Sequence, residues 1–295
     1  MHMLANRRTA VLLVLPGVAV ITFAIVAPII LSVSYSLTQW SGFGDRTFIG
    51  LQNYRRVIFD DPTFWRALFN ALLLLLVTVF IQNPIAFFVA GVLIELREKT
   101  SRVLRTIYFV PSILTVVVAV KLWTNVLNPH YGLFNKLLEA IGLARLADIS
   151  WLSDPAIALG AVIFITAWHG FGWALLFYYS GLTTVPNELR EAAQIDGANR
   201  FQIVTRIVVP YILPVIQAVI IIDITASLKQ MEVVFLSTAG GPGDRTEFIA
   251  HYLYREAFVA SRFGYGNAIS ILFVAIAITL TVLAQRYLSS VRETR

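Results

Sequence analysis

Long apolar stretches without charge dominate the pattern of this chain. Residues 11–37, 67–94 and 155–187 contain no Asp, Glu, Lys or Arg. A helix needs roughly 20 consecutive apolar residues to cross a hydrocarbon core about 30 Å thick. Because backbone N–H and C=O groups in lipid must be paired within the segment, each stretch is predicted to be a membrane-spanning helix.

Three further apolar segments bring the predicted number of spans to six. The third span contains one charge, Lys121, and the fifth contains one charge, Asp223. No internal repeat and no linker between soluble domains interrupts the pattern, so residues 1–295 are predicted to form one all-α membrane domain. The six predicted spans are Val11–Leu37, Leu68–Ile94, Thr106–Leu127, Ala156–Leu182, Ile207–Leu228 and Asn267–Leu283.

The composition is typical of a membrane protein and excludes several kinds of functional site. Of the 295 residues, 58% are hydrophobic and 14% are charged, whereas an average soluble domain has about 25% charged residues. The chain has no cysteine, which excludes disulfides, thiolate catalysis and cysteine-ligated metal sites. No metal site is expected. The first apolar stretch is too long for an ordinary signal peptide, so it is expected to remain as an uncleaved span.

The distribution of Lys and Arg predicts that both ends of the chain lie in the cytoplasm. With the N-terminus inside, the inner segments hold 12 basic and 6 acidic residues, and the outer segments hold 10 of each. The inner basic residues also lie on short connections near the span ends, where their effect on topology is strongest. They are Arg7, Arg8, Arg97, Lys99, Arg102, Arg105, Arg190, Arg200, Arg206, Arg286, Arg292 and Arg295.

A short interfacial helix is predicted in the outer connection at residues 128–155. Leu137, Leu138, Ile141 and Leu143 recur there at helical spacing. An amphipathic segment of this kind lies in the plane of the membrane surface rather than across it.

The inner connection at residues 186–206 predicts two short helices joined at a glycine. Thr184 can cap the first helix, and Pro186 suits its first turn, where a missing N–H leaves no bond unmade. Glu191 lies in the same short helix, whose early positions favour negative charge. Gly197 is expected to end this helix with a positive φ. The segment is therefore predicted to be a compact elbow at the membrane surface.

Leu189, Ala192, Ala193 and Asp196 are predicted to share one face of the first elbow helix. A face of small residues flanked by charges suits docking into a groove of a partner protein. An amphipathic loop that lies on the membrane without a partner fits the same residues. The physical pattern alone leaves both interpretations open.

The elbow closely resembles the signature loop of the permeases of binding-protein-dependent ABC importers. That signature is Glu-Ala-Ala, three residues, Gly, nine residues, Ile, two residues and Pro. Here it is Glu191-Ala192-Ala193, then Gly197, then Ile207 and Pro210. The motif is long and its spacing is kept, which makes it far more specific than a short motif.

Other motifs are similar to those of the carbohydrate branch of this family, the maltose-type permeases. Gly240-Gly241-Pro242-Gly243 follows the fifth span, with Tyr252-Leu253-Tyr254 downstream. Residues 263–268 read Phe-Gly-Tyr-Gly-Asn-Ala, and residues 50–54 read Gly-Leu-Gln-Asn-Tyr. The resemblance therefore covers nearly the whole chain.

The resemblance implies a specific role for the elbow. It would insert into a cleft of a cytoplasmic ATPase and transmit closure that ATP binding drives. Glu191 would contact the ATPase and Gly197 would set the turn. Ala192, Ala193 and Asp196 would complete the coupling surface.

The resemblance also implies the partners and the reaction. Two ATPase subunits would bind ATP and Mg²⁺, so this chain itself would be no enzyme and would hold no cofactor. A second permease, commonly a related but different chain, would complete the pathway, and an extracytoplasmic solute-binding protein would deliver the solute. The chain would move a sugar or oligosaccharide across a prokaryotic cytoplasmic membrane by alternating access.

The run Gly240–Gly243 resembles a phosphate-binding loop only superficially. No Gly-Lys-Ser/Thr follows it, and the predicted topology places it outside the membrane between two spans. A turn is the better interpretation. No complete phosphate-loop motif occurs elsewhere in the chain, so any ATP hydrolysis must come from a partner.

Lys121 and Asp223 are functional candidates because ionisable side chains within spans are costly. Each lies 16 residues beyond the inner end of its span, which is roughly 24 Å along a straight helix at 1.5 Å per residue. The two are therefore predicted to lie at similar depth. They could form a structural ion pair, line a water-filled pathway or extend towards the interface.

Trp168, His169 and Trp173 are predicted to lie on one face of the fourth span, near the middle of the bilayer. Aromatic faces together with hydrogen-bonding groups suit a sugar. Trp and small residues also pack helices against each other. These three residues are therefore candidates for the substrate pathway, with packing as the alternative.

Two other classes of protein fit the sequence less well than an importer permease does. A proton-coupled carrier or a channel could use Asp223 and Lys121 without an ATPase, but it would not explain the elbow. An intramembrane enzyme would need a catalytic set, whereas the chain has four histidines, no cysteine and no paired acids within its spans.

Overall fold

The structure is a computed structural model that describes residues 7–293, with side chains described for residues 13–287. Of the basic residues used for the topology, Arg295 lies outside the described residues, and Arg7, Arg8 and Arg292 lie outside the part with described side chains. The α-helices are α1 Arg7–Ile21, α2 Ala27–Ser36, α3 Gln52–Arg55, α4 Pro62–Val77, α5 Asn83–Glu95, α6 Glu98–Ile113, α7 Val116–Val126, α8 Leu133–Ala140, α9 Ala144–Ala147, α10 Ala158–Thr183, α11 Asn187–Ile195, α12 Arg200–Ile203, α13 Val209–Tyr211, α14 Leu213–Leu228, α15 Glu232–Ser237, α16 Ile249–Tyr254 and α17 Phe263–Glu293.

Several α-helices continue into one another through single π-helical turns. A π-turn leaves the helix axis running on, so α4 and α5 form one long helix despite their separate bounds. Two short strands, β1 Thr38–Gln39 and β2 Thr47–Phe48, pair antiparallel. The π-helical turns are Thr22–Val26, Arg56–Asp60, Thr78–Gln82, Val204–Val208 and Arg255–Val259.

Four helices are long and apolar enough to cross a membrane. They are Leu13–Ser36, Pro62–Glu95, Ala158–Thr183 and Phe263–Tyr287. Each covers one of the predicted first, second, fourth and sixth spans, and the helix of the second is longer than predicted because it begins at Pro62, a residue suited to a first helical turn. The all-α fold predicted from the sequence is confirmed.

The predicted third and fifth spans are broken helices rather than straight ones. The pair Glu98–Ile113 and Val116–Val126 bends by 95°, and the pair Arg200–Tyr211 and Leu213–Leu228 bends by 70°. By length and composition, the described part of the chain therefore has four candidate spans, or up to six if each bent pair is one span.

Local sequence explains both bends. Leu114 takes an extended conformation after α6, and the Thr115 hydroxyl then accepts the Val118 N–H to start α7. In the fifth span, Pro214 has no N–H to give to the carbonyl of Pro210, four residues earlier. The prediction of uninterrupted helices was wrong at these positions because the hydrophobic pattern does not record where a backbone bond is missing.

The chain divides into two compact units. The first unit contains Met1–Asp61 and Leu253–Ala275. Its strand pair is held by Asn53, whose side chain donates to the carbonyls of Ser36 at 2.8 Å and Thr38 at 3.0 Å. The Tyr265 hydroxyl donates to the buried carboxylate of Asp61. Polar side chains therefore tie the loops of this unit to its helices.

The second unit contains Pro62–Tyr252 and Ile276–Arg295, and it is built around α10. This helix packs against α5 and α6. Small residues let the helices approach closely, most clearly at Gly172. A Cβ at Gly172 would lie 2.7 Å from the Ser112 Oγ, 2.8 Å from the Tyr108 carbonyl oxygen and 2.9 Å from the Phe109 Cα. The α6–α10 contact therefore requires glycine at this position.

Substitution of Gly172 by alanine should destabilise the protein. The added methyl group meets backbone atoms of α6 that cannot move alone, and overpacking of this kind costs roughly 1–3 kcal/mol. Gly160→Ala is the matched control on the same helix, because nothing lies within 4 Å of its Cβ position. Thermal unfolding in detergent should show a lower Tm for Gly172→Ala and an unchanged or higher Tm for Gly160→Ala. Equal Tm values for the two variants would contradict this packing account.

Candidate functional site

A cavity of about 600 Å³ lies within the second unit. Its wall is mostly apolar, with a small number of polar side chains, which is the usual composition of a small-molecule site. Helices α4, α7, α10, α14 and α15 contribute to the wall, as does the π-turn Thr78–Gln82. The polar and aromatic side chains on the wall are Thr78, Gln82, Thr166, His169, Trp173, Phe177, Asp223, Thr225, Ser227, Lys229, Gln230 and Glu232.

Asp223 lies on this wall and is held by an amide rather than by a cation. The Asn83 Nδ2 donates to its carboxylate at 2.7 Å. Asn83 is buried, at 4% exposure, so the donor is fixed in place. No cationic side chain lies within 4.0 Å of the carboxylate among the described side chains.

Lys121 does not meet Asp223. It lies exposed on α7 and is not part of the cavity wall, and the ion pair considered from sequence is not formed. The prediction of equal depth assumed two straight helices, whereas both spans break. Asp223 lines the cavity, and its place on a water-filled pathway stays a prediction.

Trp173 presents its ring to the cavity. It is 55% exposed, and its ring meets Phe109 edge to face with the ring centroids 5.3 Å apart. Trp173 therefore makes one ring contact with α6 while more than half of its side chain remains exposed.

His169 also lies on the cavity wall, but one of its nitrogens is already bound. Its Nε2 lies 3.0 Å from the carbonyl oxygen of Leu114, and its own carbonyl accepts the Ser112 hydroxyl at 2.6 Å. A carbonyl only accepts, so the Nε2 must carry the proton. His169 thus satisfies the carbonyl that the bend between α6 and α7 leaves free.

Trp168 lies elsewhere. It packs edge to face on Trp123, with centroids 5.4 Å apart, and lines a separate apolar groove of about 670 Å³. Neighbouring residues on a helix point about 100° apart, which separates Trp168 from His169. The predicted common face therefore holds for His169 and Trp173 and not for Trp168.

The elbow has the predicted helix–glycine–helix form. Helix α11 is followed by Gly197 with φ +81°, and α12 starts with a capping box between Asn199 and Gln202. The predicted cap at Thr184 was wrong, because its hydroxyl donates to the Gly181 carbonyl at 2.7 Å instead. Pro186 occupies the N-cap position, where no side-chain bond is made.

The elbow residues divide into an anchored set and an exposed set. Ala193 and Ile203 are buried, at 9% and 7% exposure, and pack into the core of the second unit. Glu191, Ala192 and Asp196 are exposed. The single shared face predicted for α11 is therefore split, since Ala193 turns inwards and its neighbours do not.

The sequence did not predict that two apolar residues on the elbow are exposed. Ile195 is 86% exposed and Phe201 is 76% exposed. An apolar pattern alone cannot show whether a side chain faces a core or solvent. Large apolar side chains exposed together mark interaction surfaces.

The glycine run Gly240–Gly243 forms a turn, as predicted, with positive φ at both ends of the run. Beneath it lies a buried pair that the sequence argument missed, Glu247 and His251, joined at 2.5 Å. Their exposures are 0% and 4%. A side chain at Gly240 would overlap the Glu247 carboxylate. Glu247 lies two residues before α16, so helical spacing gave no signal for this pair.

Comparison with known proteins agrees with this geometry. The model of the family described as "Binding-protein-dependent transport system inner membrane component" matches residues 82–291. The probable ABC transporter permease YurN of Bacillus subtilis is 32% identical over 98% of both chains. The trehalose/maltose transport permease MalF of Thermococcus litoralis is 29% identical, covering 92% of this chain and 90% of its own length.

A solved structure shares the fold. A chain of a bacterial alginate ABC transporter, crystallised with a periplasmic protein that holds an alginate pentasaccharide, superposes with a TM-score of 0.84 over 99% of both chains at 23% identity. The family model's match over residues 82–291 includes the elbow, the glycine run and all of the cavity wall except Leu74 and Thr78. The chain therefore belongs to the family of inner-membrane components of binding-protein-dependent transport systems.

Proposed function

We propose that this chain is the permease subunit of an ATP-driven importer that moves a sugar or oligosaccharide across a prokaryotic cytoplasmic membrane. The observation that carries the proposal is one packed core that touches both the elbow and the cavity. The core includes Ala193 and Ile203 of the elbow as well as Ala174 and Val219 of the cavity wall. Packed interiors are dense, so displacement at one end is transmitted rather than absorbed.

The exposed side of the elbow suits an ATPase partner. Its charge comes from Glu191 and Asp196, and the small side chain of Ala192 allows a partner to approach closely. Apolar contact comes from Ile195 and Phe201. Fully desolvated apolar anchors supply most of the binding energy at such interfaces. Gly197 and the capping box at Asn199 fix the angle between the two elbow helices.

The orientation and partners follow from this role. Each bent pair counts as one span, so the chain crosses the membrane six times and both termini lie in the cytoplasm. In this orientation the elbow lies inside and the glycine run lies outside. Two ATPase subunits bind ATP and Mg²⁺ at the elbow side. A second permease chain, related to this one but different, completes the pathway, and a solute-binding protein delivers cargo outside. This chain itself then performs no catalysis and binds no cofactor.

The cavity supports a saccharide as cargo. Trp173 offers an aromatic face for sugar C–H groups, and Asp223 offers an acceptor for hydroxyls. The Thermococcus relative named above transports trehalose and maltose by its name. Cargo sites of alternating-access carriers lie near the middle of the membrane, at breaks in helices, and here both broken spans contribute to the cavity wall.

Gly197→Val should uncouple transport from ATP hydrolysis. Its φ of +81° is strained for a β-branched residue, at a cost of roughly 1–3 kcal/mol, so the elbow should change its angle. Gly142→Val is the matched control, because its φ is +83° and its Cβ position is equally open, but it lies between α8 and α9. In the reconstituted complex, ATP-driven uptake should fall at least about tenfold for Gly197→Val and stay near wild type for Gly142→Val.

Normal uptake and normal stimulation of ATPase activity in Gly197→Val would refute the role of the elbow. Loss in both variants to the same degree would assign the defect to general backbone strain rather than to coupling.

Trp173→Ala should lower sugar uptake without lowering stability. Its side chain is half exposed to the cavity, so truncation removes a stacking face more than it removes packing. Trp168→Ala is the control: it removes an edge-to-face contact with Trp123 outside the cavity and should lower Tm while preserving the order of sugar preference. Uptake of a sugar panel and Tm are measured on the same preparations. Parallel loss of Tm and uptake in both variants would mean that Trp173 is a packing residue.

A further inference from the structure

Three charged side chains line the cavity, and one of them is unbalanced. Lys229 and Glu232 are exposed and three residues apart on the cavity wall, and their opposite charges sum to zero. Asp223 lies six residues before Lys229, about 9 Å along α14. Asp223 therefore leaves the wall with one net negative charge, and among the described side chains it forms no ion pair.

The bond from Asn83 orients the Asp223 carboxylate without cancelling its charge. An amide donor satisfies one lone pair at 2.7 Å. A carboxylate has about four acceptor positions in all. The remaining positions stay available to a ligand that donates hydrogen bonds.

Two hydroxyls and one amide oxygen on the same cavity wall are also available as hydrogen-bond acceptors. The Thr78 hydroxyl donates to the Leu75 carbonyl at 2.9 Å, and the Thr225 hydroxyl donates to the Ile221 carbonyl at 3.0 Å. Because each hydroxyl proton is already bound, only lone pairs remain on these two oxygens. The Oε1 of Gln82, also on the wall, is buried without a hydrogen-bond partner in the part of the chain that the structure describes.

His169 does not supply the missing donor, because its protonated nitrogen is held by Leu114. The acceptor groups on the wall outnumber its one cationic donor, Lys229, so the wall favours a ligand rich in O–H donors. A neutral saccharide has such donors on every ring. A uronic acid, a sulfated sugar or a sugar phosphate adds an anion that can only accept.

We propose that the cavity selects uncharged saccharides and that Asp223 is the residue that rejects anionic ones. This inference rests on the proposed function and adds the charge class of the cargo. The fold does not decide that class, since the alginate transporter, whose cargo is a polyuronate, shares it. Asp223 touches the sugar hydroxyls directly, and Asn83 is a positioning residue that holds the carboxylate.

The test compares sugars that differ only in charge. Neutral disaccharides and trisaccharides of glucose are paired with the same sugars oxidised at C6 to the carboxylate. Binding is measured by calorimetry on the purified complex of both permeases and the ATPase, without the solute-binding protein, because that protein has its own preference. The wild-type complex should bind the neutral sugars at least about tenfold more tightly than their oxidised counterparts, since like charges in a desolvated site repel strongly.

Asp223→Asn should bring this ratio to within about threefold of unity by gaining affinity for the oxidised sugars, because a carboxamide also donates. Asp148→Asn is the matched control and should keep the wild-type ratio, since it makes the same change from acid to amide at an exposed residue that is not on the cavity wall. A wild-type ratio near unity would overturn the inference even if Asp223→Asn failed to assemble. An assembled Asp223→Asn with an unchanged ratio would also overturn it.

The proposed function fails in a different way. If uptake and ATPase coupling persist while the ratio is flat, the charge selection is wrong and the importer function stands. If no sugar of either kind binds or is taken up by the wild-type complex, the saccharide cargo itself is wrong, and the charge class falls with it.

Discussion

A backbone carbonyl freed by a bend inside an apolar bundle must find a donor, and the cavity depends on how this chain meets that requirement. The bend between α6 and α7 frees the carbonyl of Leu114, and His169 of α10 donates to it while accepting from Ser112. In lipid, an unpaired group of this kind costs several kcal/mol. The reciprocal pair makes the bend stable, and the bend allows α7 to turn away and contribute Val116 to the cavity wall.

Gly172 belongs to the same contact. It lies three residues beyond His169 on α10, and it allows the backbone of α6 to approach closely enough for the two bonds to form. His169 therefore stabilises the bend in addition to lying on the cavity wall, and its predicted contact with substrate stays a prediction. Trp173, on the next position, is left as the aromatic side chain that faces the cavity.

Hydrophobic pattern predicted the four straight spans closely, because a membrane imposes the length and polarity of a spanning helix. It could not predict the bends near Leu114 and Ile212, which depend on single missing backbone bonds. The ion pair considered for Lys121 and Asp223 does not form for the same reason. Their depths were estimated along straight helices, and both helices are bent. Gly197 was predicted well because its positive φ is a local property. The inward turn of Ala193 and the burial of Glu247 depend on tertiary packing that no local pattern records.

The elbow and the cavity wall share one core. On the proposed function, the cavity opens to alternate sides of the membrane when ATP binds to the ATPase that is docked at the elbow. Thr225 is exposed on the cavity wall, and the chain has no native cysteine. The most direct measurement is labelling of Thr225→Cys by a membrane-impermeant thiol reagent added from outside, in the reconstituted complex with and without trapped ATP. Cysteines at Ala140 and Gln194, both exposed, serve as the outer and inner reference positions. The account predicts that Thr225→Cys labels from outside only with ATP trapped, whereas Ala140→Cys always labels and Gln194→Cys never does; labelling of Thr225→Cys that is independent of ATP would contradict it.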